Sequence, residues 1–165
     1  MVYSTIDSAK ALIERHSKSI EVNDHLLNVV DIGYGTPVPI QHGFPNSAVD
    51  WHYQIQALVD NKYRVIAPDL LGLGESDKPD DLELYTAAKD TERTIAILDA
   101  LEIDRLHIVC HDRSSAPGWA IAAYHPERVL SLTSLTVGRI KARADMGIDA
   151  REQAWYMLFF QFSSR

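Results

Sequence analysis

Between residues 38 and 137 short apolar runs alternate with stretches of helical periodicity, and few folds accommodate that alternation. Residues 38–41, 64–67, 106–110 and 129–137 read as strands. Between them, residues 47–60 place Trp51, Ile55, Leu58 and Val59 on one helical face. Residues 84–101 do the same with Ile95, Leu98 and Leu101, and residues 114–124 read as a further helix. Strand and helix in this order predict a parallel α/β sheet with helical crossovers. The last strand alternates poorly, which predicts burial on both faces. Ahead of this array, residues 5–16 form a candidate helix with Ala9, Leu12 and Ile13 at helical spacing. Residues 18–22 and 25–32 read as two strands around an Asn23-Asp24 hairpin turn.

Composition narrows the function classes. The formal charge of −7 argues against a nucleic-acid partner, which would call for a basic face. No apolar run approaches the roughly 18 residues of a membrane span. Residues 1–4 offer neither a basic nor an apolar targeting region, and the lone Cys110 fits a reducing compartment. A cytoplasmic protein with no cofactor and no metal is therefore expected.

The chemistry concentrates where a strand runs into a helix, at Val109-Cys110-His111-Asp112-Arg113-Ser114-Ser115. A residue at such a turn is held at the carboxyl end of the sheet, where open α/β folds bind ligands. Free N–H groups of the helix start face it and favour an anion. Aspartate is also a preferred helix N-cap, so Asp112 taken alone reads as a cap. Three other segments alter that reading: His42-Gly43-Phe44-Pro45 after one strand, Asp69-Leu70-Leu71-Gly72-Leu73-Gly74-Glu75-Ser76 after the next, and His125-Pro126-Glu127-Arg128-Val129 after the last helix.

In this order the four segments resemble the α/β-hydrolase superfamily, in the branch of epoxide hydrolases and haloalkane or haloacid dehalogenases, whose nucleophile is Asp. Ala154-Trp155-Tyr156-Met157-Leu158-Phe159-Phe160-Gln161 is similar to the start of the lid in epoxide-hydrolase-like members. The resemblance covers residues 20–162. It implies that Asp112 is the catalytic nucleophile, that the N–H groups of Phe44 and Arg113 form the oxyanion hole, and that Arg113 and Trp155 contact a small-molecule substrate, an epoxide or organohalide. It implies for His42 a structural role at its turn, and for His111 a side chain pointing the other way along the strand. A carboxylate nucleophile suits attack on an sp³ carbon, leaving an enzyme ester that water later hydrolyses.

Departures from the family pattern set further expectations. Arg113 follows the nucleophile as in fluoroacetate dehalogenases, where it grips the substrate carboxylate, but their second arginine is Ala116 here. As an alternative, Arg113 is a solvated surface residue. Cys110, Ser114 and Ser115 stand for three glycines, so some strain is expected at the turn. Pro39 falls in an interior strand and Pro117 late in the first turn of a helix. The fold expected is an α/β-hydrolase truncated after the sixth strand and the start of the lid: residues 1–138 as the N-terminal part of the core, 139–165 as the beginning of the cap. The family's histidine base and its orienting acid have no counterpart here, so the chain is expected not to turn over alone. A haloacid dehalogenase and a non-catalytic remnant or interaction protein are the alternative functions, and a half-sheet with an open edge is expected to self-associate.

Overall fold

The computed structural model describes residues 6–138 and, beyond them, residues 145, 147, 148, 152 and 155. Six strands form one sheet in the order β1-β2-β4-β3-β5-β6. The helix α1 (Ile6–His16) leads into the hairpin of β1 (Ser17–Val22) and β2 (His25–Gly33). Asn23 and Asp24 both have positive φ, 50° and 63°, and Val22 pairs with His25, as a two-residue hairpin turn requires. β2 pairs antiparallel with β4 (Tyr63–Pro68). From there the sheet is parallel through β3 (Thr36–Gln41), β5 (Leu106–His111) and β6 (Val129–Leu135).

The connecting helices divide between the two faces. On one face α1 and α2 (His52–Asp60) bury Ile13 and Ile55 against Val30, Ile40, Val65 and Ala67. On the other, α3 (Ala87–Ala100) and α4 (Ser115–Tyr124) bury Ile97, Leu98 and Ile121 against Val29, Ile66, Leu106 and Ile108. The sequence extends α3 back to residue 84, but the Thr86 side chain accepts the Lys89 N–H and caps the helix there. Likewise the 47–60 segment opens with a single-turn 3₁₀ stretch, Ala48–Trp51, before α2.

Both prolines are accommodated. Pro39 is in register with Ile66 of β4, and the β3 ladder to β5, which runs only over Ile40 and Gln41, begins just past it. A 3₁₀ turn, Asp112–Ser114, precedes α4, which places Pro117 third in the helix, where the N–H has no intrahelical partner. The expectation for the last strand fails. β6 ends at Leu135, pairs on one side only among the described residues, and is half-buried or exposed along its whole length. Poor alternation there reflects an edge, not burial on both faces. Among the described residues no helix is long and apolar enough to cross a membrane.

Candidate active site

β3, β4 and β5 run parallel, so the segments that follow them emerge at one end of the sheet. There His42-Gly43-Phe44, Asp69 and Asp112 converge. Asp112 is the one residue of the turn after β5 with a left-handed backbone, φ 54°, a conformation that costs a non-glycine residue energy and that persists only where its surroundings impose it. Ser114 and Ser115 have ordinary helical φ of −73° and −63°. The strain expected of the three replaced glycines is therefore absent from both serines. The Ser114 hydroxyl donates to the His42 carbonyl at 2.5 Å, Ser115 donates to Leu135 O at 3.3 Å, and the Cys110 thiol fits because Gly118 faces it.

Asp112 is not a helix cap. Ser114 holds the N-cap position of α4 without a side-chain capping bond, and the Asp112 carboxylate reaches a different loop. Its Oδ1 accepts the Phe44 N–H at 3.0 Å. Gly43 permits this approach: a Cβ there would lie 2.5 Å from Asp112 Cβ and 2.8 Å from Oδ1. The peptide Phe44-Pro45 is cis, and the Phe44 side chain is exposed.

His42 stabilises that loop with both ring nitrogens. Nδ1 donates to Gly43 O at 2.8 Å and Nε2 accepts the Leu70 N–H at 3.0 Å, which defines the neutral tautomer. Burial pushes its pKa below the usual imidazole range, against the opposing pull of the Gly43 carbonyl and of Asp69. Asp69 Oδ1 does lie 3.8 Å from Nε2, but the lone pair of that nitrogen is already engaged by Leu70. Asp69, 3% exposed, is itself saturated: it accepts from Ala48 N at 2.7 Å, Asn28 Nδ2 at 2.9 Å and Glu75 N at 3.0 Å.

The Arg113 side chain turns towards α3. Its Nε and Nη2 donate to Asp90 Oδ2 at 3.1 and 2.8 Å, and its guanidinium carbon lies 6.0 Å from the Tyr85 ring centre. Arg93 binds the other oxygen of Asp90 at 2.7 Å and also donates to Leu84 O. The guanidinium is thus neither free in solution nor unpaired. Sequence reasoning missed Asp90 and Arg93. The signal was their spacing, since Asp90, Arg93 or Thr94, and Ile97 or Leu98 share the buried face of α3. Trp155 is 65% exposed, and the remainder of the segment expected to open the lid, residues 154 and 156–161, lies outside the described residues, as does most of the cap span 139–165.

His111 projects to the face opposite the buried Leu106, Ile108 and Cys110, and meets Trp51 edge-on at 6.3 Å. With Gly43, Asp50, Gln54 and Leu135 these rings line a cleft of about 240 Å³ adjoining the turn. Among the described residues no group of His, Cys, Asp and Glu side chains is arranged to hold a metal ion.

Comparison with known proteins agrees with this fold. The family described as alpha/beta hydrolase fold matches residues 36–162. An epoxide hydrolase of Caballeronia sordidicola is 35% identical over 84% of this chain and 44% of its own length. Epoxide hydrolase A of Mycobacterium tuberculosis is 34% identical over 86% of this chain and 46% of its own. The crystal structure of an epoxide hydrolase from Vigna radiata superposes with a TM-score of 0.72, at 31% identity, over 75% of this chain and 40% of that one. The chain thus spans less than half the length of these relatives.

Proposed function

The chain belongs to the α/β-hydrolase family, and from that premise we propose that it carries the nucleophile half of an epoxide-hydrolase-like site, with Asp112 as the attacking group. One observation carries the reading: Asp112 sits in a left-handed turn between β5 and α4 with its carboxylate on the Phe44 N–H. Strain of this kind clusters at functional sites. In the first step an Asp112 oxygen attacks an oxirane carbon, the ring C–O bond breaks, and the alkoxide takes a proton from water as the ester forms. In the second, water attacks the ester carbonyl and the backbone N–H groups of Phe44 and Arg113 stabilise the resulting oxyanion. The diol leaves and the carboxylate is regenerated.

The second step needs a base. None of the seven histidines is hydrogen-bonded to Asp112, and His42 has both nitrogens engaged. On this reading residues 1–138 form a core portion, residues 139–165 begin a lid in which Trp155 faces substrate, and the protein acts in the cytoplasm on a small epoxide. Incubation with styrene oxide tests it. The 165-residue chain is expected to gain one epoxide equivalent by intact mass and to release no more than one equivalent of diol. Many equivalents of diol would show that a base is at hand. A chain that gains no mass would sink the nucleophile assignment.

A non-catalytic interaction role is the second reading, and the half-exposed edge strand β6 is what favours it. It predicts concentration-dependent association that is indifferent to substitution of Asp112, measured by sedimentation.

A further inference from the structure

Gln41 ends β3, one residue before His42, and is 1% exposed. Its Nε2 donates to Thr94 Oγ1 at 2.7 Å. The Thr94 hydroxyl proton is itself committed to Asp90 O at 2.8 Å, so the threonine oxygen must accept, and this fixes which end of the amide faces it. Oε1 is therefore the other end, and among the described residues no donor reaches it. A buried carbonyl oxygen left in that state is destabilising, and native folds satisfy such atoms with protein groups or with water.

Gln41 is also part of the wall of a small cavity between β3 and α3. The cavity gives about 10 Å³ to the centre of a water-sized sphere, and every residue lining it is buried. By that measure a water needs on the order of 10–15 Å³, so there is room for a single molecule. Beside Gln41 the wall carries the Asp90 carboxylate, the Arg93 guanidinium and the Thr94 hydroxyl, with Leu27 and Ile97 completing it. Both bonds of Arg93 to described residues use Nη2, to Asp90 Oδ1 and to Leu84 O, so N–H groups on Nε and Nη1 remain.

We propose that this cavity is a binding site for one internal water, which donates to Gln41 Oε1 and takes its further bonds from the α3 side chains on the wall. Apolar walls alone would leave such a space dry, whereas this one supplies the two to four polar partners a held water requires, in roughly that number. Charge selects water over a cation. Asp90 already rests on Arg93 at 2.7 Å and Arg113 at 2.8 Å, and Asp69, the other carboxylate of the wall, accepts from Ala48, Asn28 and Glu75. The water ties the end of β3 to α3 immediately ahead of the loop that carries the Phe44 N–H. The site stands whether or not Asp112 reacts.

Water-selective NOE and ROE spectra of the isotope-labelled full chain test the site. A held water gives cross-peaks of opposite sign in the two spectra, whereas passing solvent gives the same sign in both. Opposite-signed peaks are expected at the side chains of Leu27 and Ile97 in the wild-type chain. The Thr94 hydroxyl exchanges with solvent and can relay such a signal, so two variants identify its source. In Thr94→Val, which keeps the shape of the side chain and removes the hydroxyl, the peaks should persist. In Gln41→Met, which removes the amide oxygen and leaves the Thr94 hydroxyl in place, they should disappear. Loss in Thr94→Val, or undiminished peaks in Gln41→Met, would overturn the proposal. Either variant separates the two sources if the other fails to fold, and a wild-type chain without opposite-signed peaks refutes the site unaided.

Discussion

Asp69 and Asp112 occupy matching places in the fold, each just beyond a parallel strand at the same end of the sheet, yet their surroundings differ sharply. Asp69 is buried and accepts three hydrogen bonds from three segments. Asp112 is half-buried, strained in its backbone and bonded among the described residues to a single N–H. A carboxylate whose lone pairs are filled by the protein stabilises loops. One left with capacity can react. Position at the carboxyl end of a strand therefore selects candidates, and the donor census separates the structural carboxylate from the one proposed to react.

Substitution should expose this difference most strongly at Asp69. Asp69→Ala orphans donors on Ala48, Glu75 and Asn28, and at about 1–3 kcal/mol per buried unsatisfied group the loss should reach about 3 kcal/mol or more in denaturant unfolding. Asp112→Asn keeps an acceptor for Phe44 and should cost less than about 1 kcal/mol in the same experiment. Equal losses at the two sites would break the comparison.

Gly43→Ala comes next. Its methyl group would press on the Asp112 side chain, costing about 1–3 kcal/mol and slowing alkylation as the carboxylate is pushed from Phe44. A variant of unchanged stability and alkylation rate would mean that the approach of Gly43 to Asp112 is slack.

The smallest effect is expected at a third carboxylate, Asp31, on the strand side remote from the turn after β5. Arg64 binds it at 2.8 and 2.9 Å and Lys18 at 2.7 Å, and these partners, Arg64 foremost, pull its carboxyl down to about 2. Its unfolded value is about 3.9. The stability from this cluster is thus complete above that value and is lost as the pH falls towards 2. Asp31→Asn should cost about 1 kcal/mol at neutral pH and flatten the unfolding profile between about pH 4 and 2. An unchanged acid limb would remove Asp31 from the account.

The strands and the hairpin were legible because they are written in local patterns, apolar period and turn residues, whereas the meeting of His42-Gly43-Phe44 with Asp112 was implied only by the family resemblance. The hydroxyls of Ser114 and Ser115 were read only as bulk, since their acceptors, His42 O and Leu135 O, lie 72 and 20 residues away. Arg113 was read from its neighbour Asp112, while its partner Asp90 lies 23 residues earlier on α3. Charge identity along a helix does not say which members are buried, although the shared face of Asp90, Arg93 and Ile97 came close to saying it. The edge character of β6 was hidden for a different reason. β6 packs Val129 and Leu132 against the core but exposes Leu130 and Leu135, and the exposed apolar residues do not differ in type from the covered ones.

The central claim is that Asp112, alone among these carboxylates, is free to attack. Tandem mass spectrometry of the styrene-oxide-treated chain tests it directly by locating the adduct. The account predicts one ester on the peptide containing Asp112, absent in Asp112→Asn. An adduct on Asp69, on Asp90 or spread over surface carboxylates, persisting at the same yield in Asp112→Asn, would contradict it.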